Sequence, residues 1–129
     1  MSEPPPAPRL RAAAERVGAF LGACGDGIAF VDNATSAINA VLRSIELAPG
    51  DEILVHDQAY GGVVRAIAFL ARERGATMTR FALPFPARTP DEYVAAVERA
   101  ITPRTRVALL DQVTSETALV MPWRSSSAA

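Results

Sequence analysis

The stretch Phe30-Val31-Asp32-Asn33-Ala34-Thr35-Ser36-Ala37-Ile38-Asn39 sets small polar residues directly behind an apolar run and ahead of a helical pattern. At such a junction the unpaired N–H groups and the dipole of a helix N-terminus can hold a phosphate. Ala34 lets a ligand approach the backbone closely, and Thr35 and Ser36 supply hydroxyl donors. The same residues suit an ordinary helix cap, with Asn33 or Thr35 as the N-cap, worth about 1 kcal/mol. The stretch is neither a glycine-rich dinucleotide turn nor a Walker loop, because the lysine and most of the glycines those need are absent. Tyr60, in HDQAYGG, could present a flat aromatic face or simply fill a loop. His56 ends an apolar run with no second histidine or carboxylate at ligand spacing, so a packed or surface histidine is the expectation. Asp57 and Asp111 also end apolar runs, where aspartates either border a site or cap loops. Cys24 has no activating base nearby in sequence and is not read as a nucleophile.

Composition narrows the chemistry further. All thirteen basic residues are arginine, so lysine chemistry of any kind is closed to these 129 residues. Fourteen acids leave a net charge of −1 with no block of like charge, which argues against a nucleic-acid or anionic-membrane footprint. A single cysteine excludes an internal disulfide and a cysteine-based zinc cluster. No apolar run approaches the roughly 20 residues of a membrane helix, and the proline-rich start is unlike a signal peptide. The composition points to a soluble, cytoplasmic protein with one domain-sized core.

Positioning these residues requires regular elements, and the periodicity supplies them. Residues 1–8 read as a flexible, proline-rich leader. Leu10, Ala13, Ala14, Val17, Phe20 and Leu21 recur at helical spacing until Gly22, and Ile28–Val31 reads as a short buried strand. Ile38, Val41, Leu42 and Ile45 mark one face of the next helix. Pro49-Gly50-Asp51 is a turn before a strand at Glu52–His56. Val63, Ile67, Leu70 and Ala71 give a helix closed by Gly75, and Thr77–Leu83 is strand-like. Thr89-Pro90-Asp91-Glu92 fits a capping box with proline at the first helical position. Thr102-Pro103 breaks that helix before a last buried strand at Arg106–Leu110. Strands alternating with helices of this length predict an α/β fold, three layers with a mainly parallel sheet between helices.

Taken together, FVDNATSAINAVLRSIELAPGDEIL, HDQAYGG and PFPARTPDEYVAAVERAITPRTRVALLDQVTSETALVMP resemble the class V aminotransferase family, specifically its isopenicillin N epimerase-like members. The resemblance runs from Arg9 to Pro122, with residues 123–129 an off-pattern Ser/Ala tail. It implies the large domain of a pyridoxal-phosphate (PLP) enzyme of fold type I. Carried over by position, Ala34, Thr35 and Ser36 fall on the phosphate-binding turn, Tyr60 on the residue stacked over the pyridine ring, and Ser115 beside the cofactor's phenolic oxygen. Glu116 and Ala118 depart from the pattern, standing where proline and glycine are usual.

The family implies chemistry at the α-carbon of an amino acid: epimerisation, C–S lysis or transamination. It implies homodimeric intact relatives and no metal, nucleic-acid or membrane partner. It also requires an acid for the pyridinium nitrogen and a lysine to bond the cofactor's aldehyde, and both are expected past Pro122. The matched residues therefore read as a partial large domain that is not catalytic alone. One codon choice for residues 123–129, TGG CGG AGC TCG TCG GCG GCC, gives Ala-Glu-Leu-Val-Gly-Gly in the neighbouring frame, as the family's next helix would begin. A one-base frame shift near Pro122 is the resulting expectation, and resequencing the locus tests it. The alternative class is a non-catalytic remnant or interaction module that uses the fold as a surface.

Overall fold

The computed structural model describes residues 8–87 and 89–122; the expected leader, apart from Pro8, and the expected tail lie outside them. In chain order the elements are α1 (Pro8–Leu21), a short 3-10 turn (Gly25–Gly27), α2 (Ala34–Ser44), β1 (Glu52–His56), α3 (Gly61–Arg74), β2 (Thr77–Phe81), α4 (Pro90–Ala100) and β3 (Thr105–Leu109). The strands form one parallel sheet in the order β2-β1-β3, as the α/β pattern predicts. The chain divides into two compact units, one up to Ala37 and one from Ile38, so the boundary falls inside α2.

In the first unit, α1 opens at a proline, whose missing N–H costs nothing in a first turn, and stops at Gly22 with φ +69°. The expected apolar face is realised only in part. Ala14 and Gly18 are buried, whereas Leu10, Val17, Phe20 and Leu21 are exposed. Close backbone packing holds the 3-10 turn to the helix, since a Cβ on Gly18 would lie 2.8 Å from the Gly25 nitrogen. Arg11 adds a clamp: its Nη2 donates to the Gly25 carbonyl and its Nη1 lies 3.2 Å from Asp26 Oδ1. Cys24 is exposed. The strand expected at Ile28–Val31 is absent. Ile28 is extended (φ −93°, ψ 120°), but the segment joins no ladder among the described strands and Ala29, Phe30 and Val31 are exposed. Apolar, β-branched residues favour extension, and only a hydrogen-bonded neighbour converts extension into a strand.

The second unit is built on β1, all five residues of which are buried. Period-2 alternation sends Ile53 and Val55 to one face and Glu52, Leu54 and His56 to the other. Ile53 and Val55 pack with Leu42, Ala59, Val63, Ile67, Leu70 and Ala71, so the stripe read from the sequence of α3 is the stripe that meets the sheet. Gly75 ends α3 in the left-handed region at φ +67°, the conformation glycine adopts without a Cβ penalty. The Pro49-Gly50-Asp51 turn forms as expected, with Asp51 Oδ2 accepting the Ala48 N–H at 2.8 Å.

Three expectations for this unit are corrected. The strand expected at Thr77–Leu83 ends at Phe81, and the Leu83 N–H donates to Asp57 Oδ1 instead of joining a ladder. The last strand runs one residue earlier than expected and alternates between half-buried and exposed residues, because β1 is its one partner in the described sheet. At α4, Pro90 does take the first turn, but the Thr89 side chain makes no capping hydrogen bond. The Thr89 carbonyl accepts the Glu92 N–H instead, at 3.3 Å.

Candidate functional site

In a parallel α/β sheet the loops beyond the carboxyl ends of the strands are where ligands bind. At this end, the second unit collects the residues that follow β1 and β3. The register sets Val55 opposite Leu109, so His56 and Asp111 emerge side by side. His56 Nε2 lies 3.3 Å from Asp111 Oδ2, off the alignment of a good hydrogen bond, and Nδ1 has no hydrogen-bond partner among the described residues. The imidazole is 1% exposed and meets the edge of Phe81 at 6.3 Å between centroids. Burial pushes its pKa below the ordinary 6.5, against the opposing pull of Asp111 and Asp57, so the ring is neutral at neutral pH. The packed histidine expected from sequence is found, together with a carboxylate partner that sequence spacing did not show. Asp57 is a loop cap: its Oδ1 accepts the Leu83 N–H at 3.0 Å, while Arg80 donates to its carbonyl.

Tyr60 is the N-cap residue of α3, its carbonyl accepting the Val63 and Val64 N–H groups. The residue is 54% exposed. The ring lies over the first turn of the helix, where a Cβ on Gly62 would come within 2.6 Å of Tyr60 Cε1. Glycine at 62 lets the ring take this rotamer without shifting.

Ser115 is exposed near the tip of a hairpin-like turn after β3. An isolated antiparallel bridge joins Val113 to Val120, and Met121 N donates to the Gln112 carbonyl at 2.9 Å. Inside the turn, Thr114 is 2% exposed and its Oγ accepts the Leu119 N–H at 2.9 Å. Thr114 Oγ and Thr117 Oγ are 2.7 Å apart, and Thr117 donates to Gln58 Oε1 at 2.5 Å. The structure thus joins the Ser115 turn to the segment leading into Tyr60. Ala118 closes the turn at φ +52°, the one non-glycine residue with positive φ among those described. The family resemblance marks this position as one where glycine is usual, and the left-handed backbone found here is one that glycine adopts without strain.

Ala34, Thr35 and Ser36 lie in the first unit and form the opening turn of α2. Asn33 is the cap, its Oδ1 accepting the Ser36 N–H at 2.9 Å and its carbonyl the Ala37 N–H at 3.1 Å. Ala34 and Ser36 are exposed and Thr35 is half-buried. Sequence reasoning missed Gln58, Thr114 and Thr117; two threonines three residues apart just beyond a strand were the available signal. It also missed Glu52, at the far end of β1.

The family model for class V aminotransferases matches residues 7–127. The chain belongs to that family. Among its relatives is isopenicillin N epimerase of Amycolatopsis lactamdurans, 41% identical over 118 residues that cover 89% of this chain and 30% of the epimerase. Of solved structures, the cysteine desulfurase CsdA from Escherichia coli superposes with a TM-score of 0.77 at 30% identity, over 88% of this chain and 29% of that one. A mutant of C-DES with glycine covalently linked to its PLP cofactor shares the fold, with a TM-score of 0.75 at 24% identity and the same coverage. Class V aminotransferases are PLP-dependent. This class V chain spans less than a third of the length of the relatives it matches. No helix among the described residues is long and apolar enough to cross a membrane.

Proposed function

We propose that this chain supplies cofactor-holding elements of a cytoplasmic PLP enzyme that acts at the α-carbon of an amino acid, in the manner of the isopenicillin N epimerase-like class V proteins. The observation that carries the reading is Tyr60, an aromatic left more than half open at the carboxyl end of the sheet with its ring lying over Gly62. Taken residue by residue, the chemistry of the proposed set suits the group. The first turn of α2 offers a helix dipole and the Thr35 and Ser36 hydroxyls to a phosphate. Ala34 keeps that approach open, Tyr60 offers a π-face to a flat ring, and Ser115 offers a hydroxyl to a phenolic oxygen. When bound, PLP supplies an electron sink for charge developing at the substrate α-carbon.

The protein's part is to bind, orient and desolvate. Ala59, next to Tyr60 in the chain, is buried in the core cluster, and Met121, at the far end of the Ser115 turn, is also buried. These residues contain no lysine, so the amine that bonds the cofactor is not among them. The second reading is a non-catalytic remnant or interaction module that uses the fold as a surface.

Titrating the purified chain with PLP tests the first reading. Binding that Tyr60→Ala weakens at least tenfold supports it; equal affinities in the two proteins reject the stacking role. The second reading predicts no saturable PLP binding by either protein.

A further inference from the structure

Tyr60 and Ser115 sit on loops that follow different strands, yet a single chain of hydrogen bonds runs between those loops. Each threonine hydroxyl has one proton to give. Thr117 gives its proton to Gln58 Oε1, so Thr114 must give its own to Thr117, while Thr114 Oγ accepts the Leu119 N–H. The order Leu119, Thr114, Thr117, Gln58 is fixed by this count. Two of its members are sheltered, Thr114 at 2% exposure and Gln58 at 9%, so water competes poorly for their bonds. The relay also spans the left-handed Ala118, a conformation that persists in a non-glycine residue only when its surroundings hold it.

We infer that Gln58, Thr114 and Thr117 are positioning residues that lock the Ser115 turn onto the Tyr60 loop, so that the two ligand-facing side chains move as one body. The inference rests on the proposed PLP reading for what Tyr60 and Ser115 face, and on the hydrogen bonds alone for the lock. No part of the relay touches the ligand in this scheme. Its effect is to fix the height and tilt of the aromatic ring relative to the serine hydroxyl, which a two-point contact with a rigid ring requires.

The test uses the full chain with three probes: amide hydrogen exchange without ligand, PLP, and inorganic phosphate. Thr117→Val removes the hydroxyl at nearly constant shape, and Thr117→Ser restores it. Thr117→Val is expected to speed exchange both at residues 114–119 and at residues 57–60. PLP binding should weaken about five- to tenfold, the worth of one sheltered hydrogen bond, with phosphate binding unchanged and Thr117→Ser near wild type. Faster exchange confined to 114–119, or equal losses for PLP and phosphate, overturns the positioning role. Gln58→Leu removes the same bond from the other loop and replaces Thr117→Val if that variant does not fold. If Tyr60→Ala leaves PLP affinity unchanged, the PLP reading is what fails, and the exchange measurement still decides the lock.

Discussion

The two ends of β1 carry a polar side chain on the same face, and the protein treats them in opposite ways. At the amino end, Glu52 is 4% exposed and accepts three threonine hydroxyls: Thr79 at 2.8 Å, Thr102 at 3.0 Å and Thr105 at 2.7 Å. These come from β2, from the loop before β3 and from β3 itself, so one carboxylate ties the strands together. At the carboxyl end, His56 is as deeply buried but lacks a well-aligned hydrogen bond, a nearby turn holds an alanine at positive φ, and a tyrosine stands open. One end is saturated with partners and the other keeps polar groups incompletely satisfied. Unsatisfied groups and backbone strain gather where a fold must present chemistry, and fully bonded networks gather where it must only hold together.

Removing the saturated network should produce the largest effect. Glu52→Ala takes the acceptor from three hydroxyls at once and should cost about 3 kcal/mol in chemical denaturation, by the usual worth of hydrogen bonds to a charged group. PLP affinity, measured under native conditions, should stay within about twofold, well below the tenfold that one full hydrogen bond of 1.4 kcal/mol would change. A loss of affinity matching the loss of stability would break the division between the two ends.

Thr114→Val probes the other end at a buried position and should cost less, about 1–2 kcal/mol, because one backbone N–H and one hydroxyl lose partners. Here the balance should invert, with PLP affinity falling by more than the stability change alone explains. Parallel denaturation and binding curves for the two variants make the comparison directly.

Acidification separates the ends by pH. Hydrogen bonds from Thr105 and Thr79 hold the Glu52 carboxyl below its ordinary 4.5, so its contribution is complete above that value and is lost as pH falls through the folded-state pKa. His56 is also depressed, by burial, below 6.5. The neutral ring therefore stabilises the fold above pH 6.5, and stability declines as pH drops from there toward the folded-state value. Asp111 and Asp57 oppose that decline and Arg80 reinforces it. Denaturation midpoints across this range should show an upper limb that His56→Leu removes and a lower limb that Glu52→Ala removes. A wild-type midpoint unchanged from pH 7 to the Glu52 limb would show that His56 is not held neutral by burial.

Much of this contrast was hidden in the sequence, for identifiable reasons. Local signals worked where one element decides its own fate: α3 has its buried stripe at Val63, Ile67, Leu70 and Ala71 and its stop at Gly75, and Glu52–His56 is a strand end to end. They failed where a partner decides. Ile28–Val31 has the composition of a strand without a ladder, and Thr89 has a capping residue's identity without its bond. Tyr60, Ser115 and the Ala34–Ser36 turn were proposed one by one through family resemblance. The links between loops were not, because Thr117 and Gln58 are 59 positions apart and His56 meets Asp111 only through the β1–β3 register. Parallel pairing brings distant segments together without leaving a short-range trace.

The finest test concerns Ala118, where two small terms compete. Left-handed geometry costs a non-glycine residue roughly 1–2 kcal/mol, and Ala118 sits at φ +52°. Glycine would remove that strain but adds about 0.5–1 kcal/mol of unfolded-state entropy to be lost on folding. The strain outweighs the entropy, so Ala118→Gly should stabilise the chain by about 0.5–1 kcal/mol. A turn that no longer resists its own conformation needs less holding, so Thr117→Val should also cost less stability in the Ala118→Gly background than in the wild type. Equal costs in both backgrounds would mean that the relay and the strained residue act independently. An unequal cost would identify the threonine relay as what allows an alanine to occupy a glycine's place beside the site.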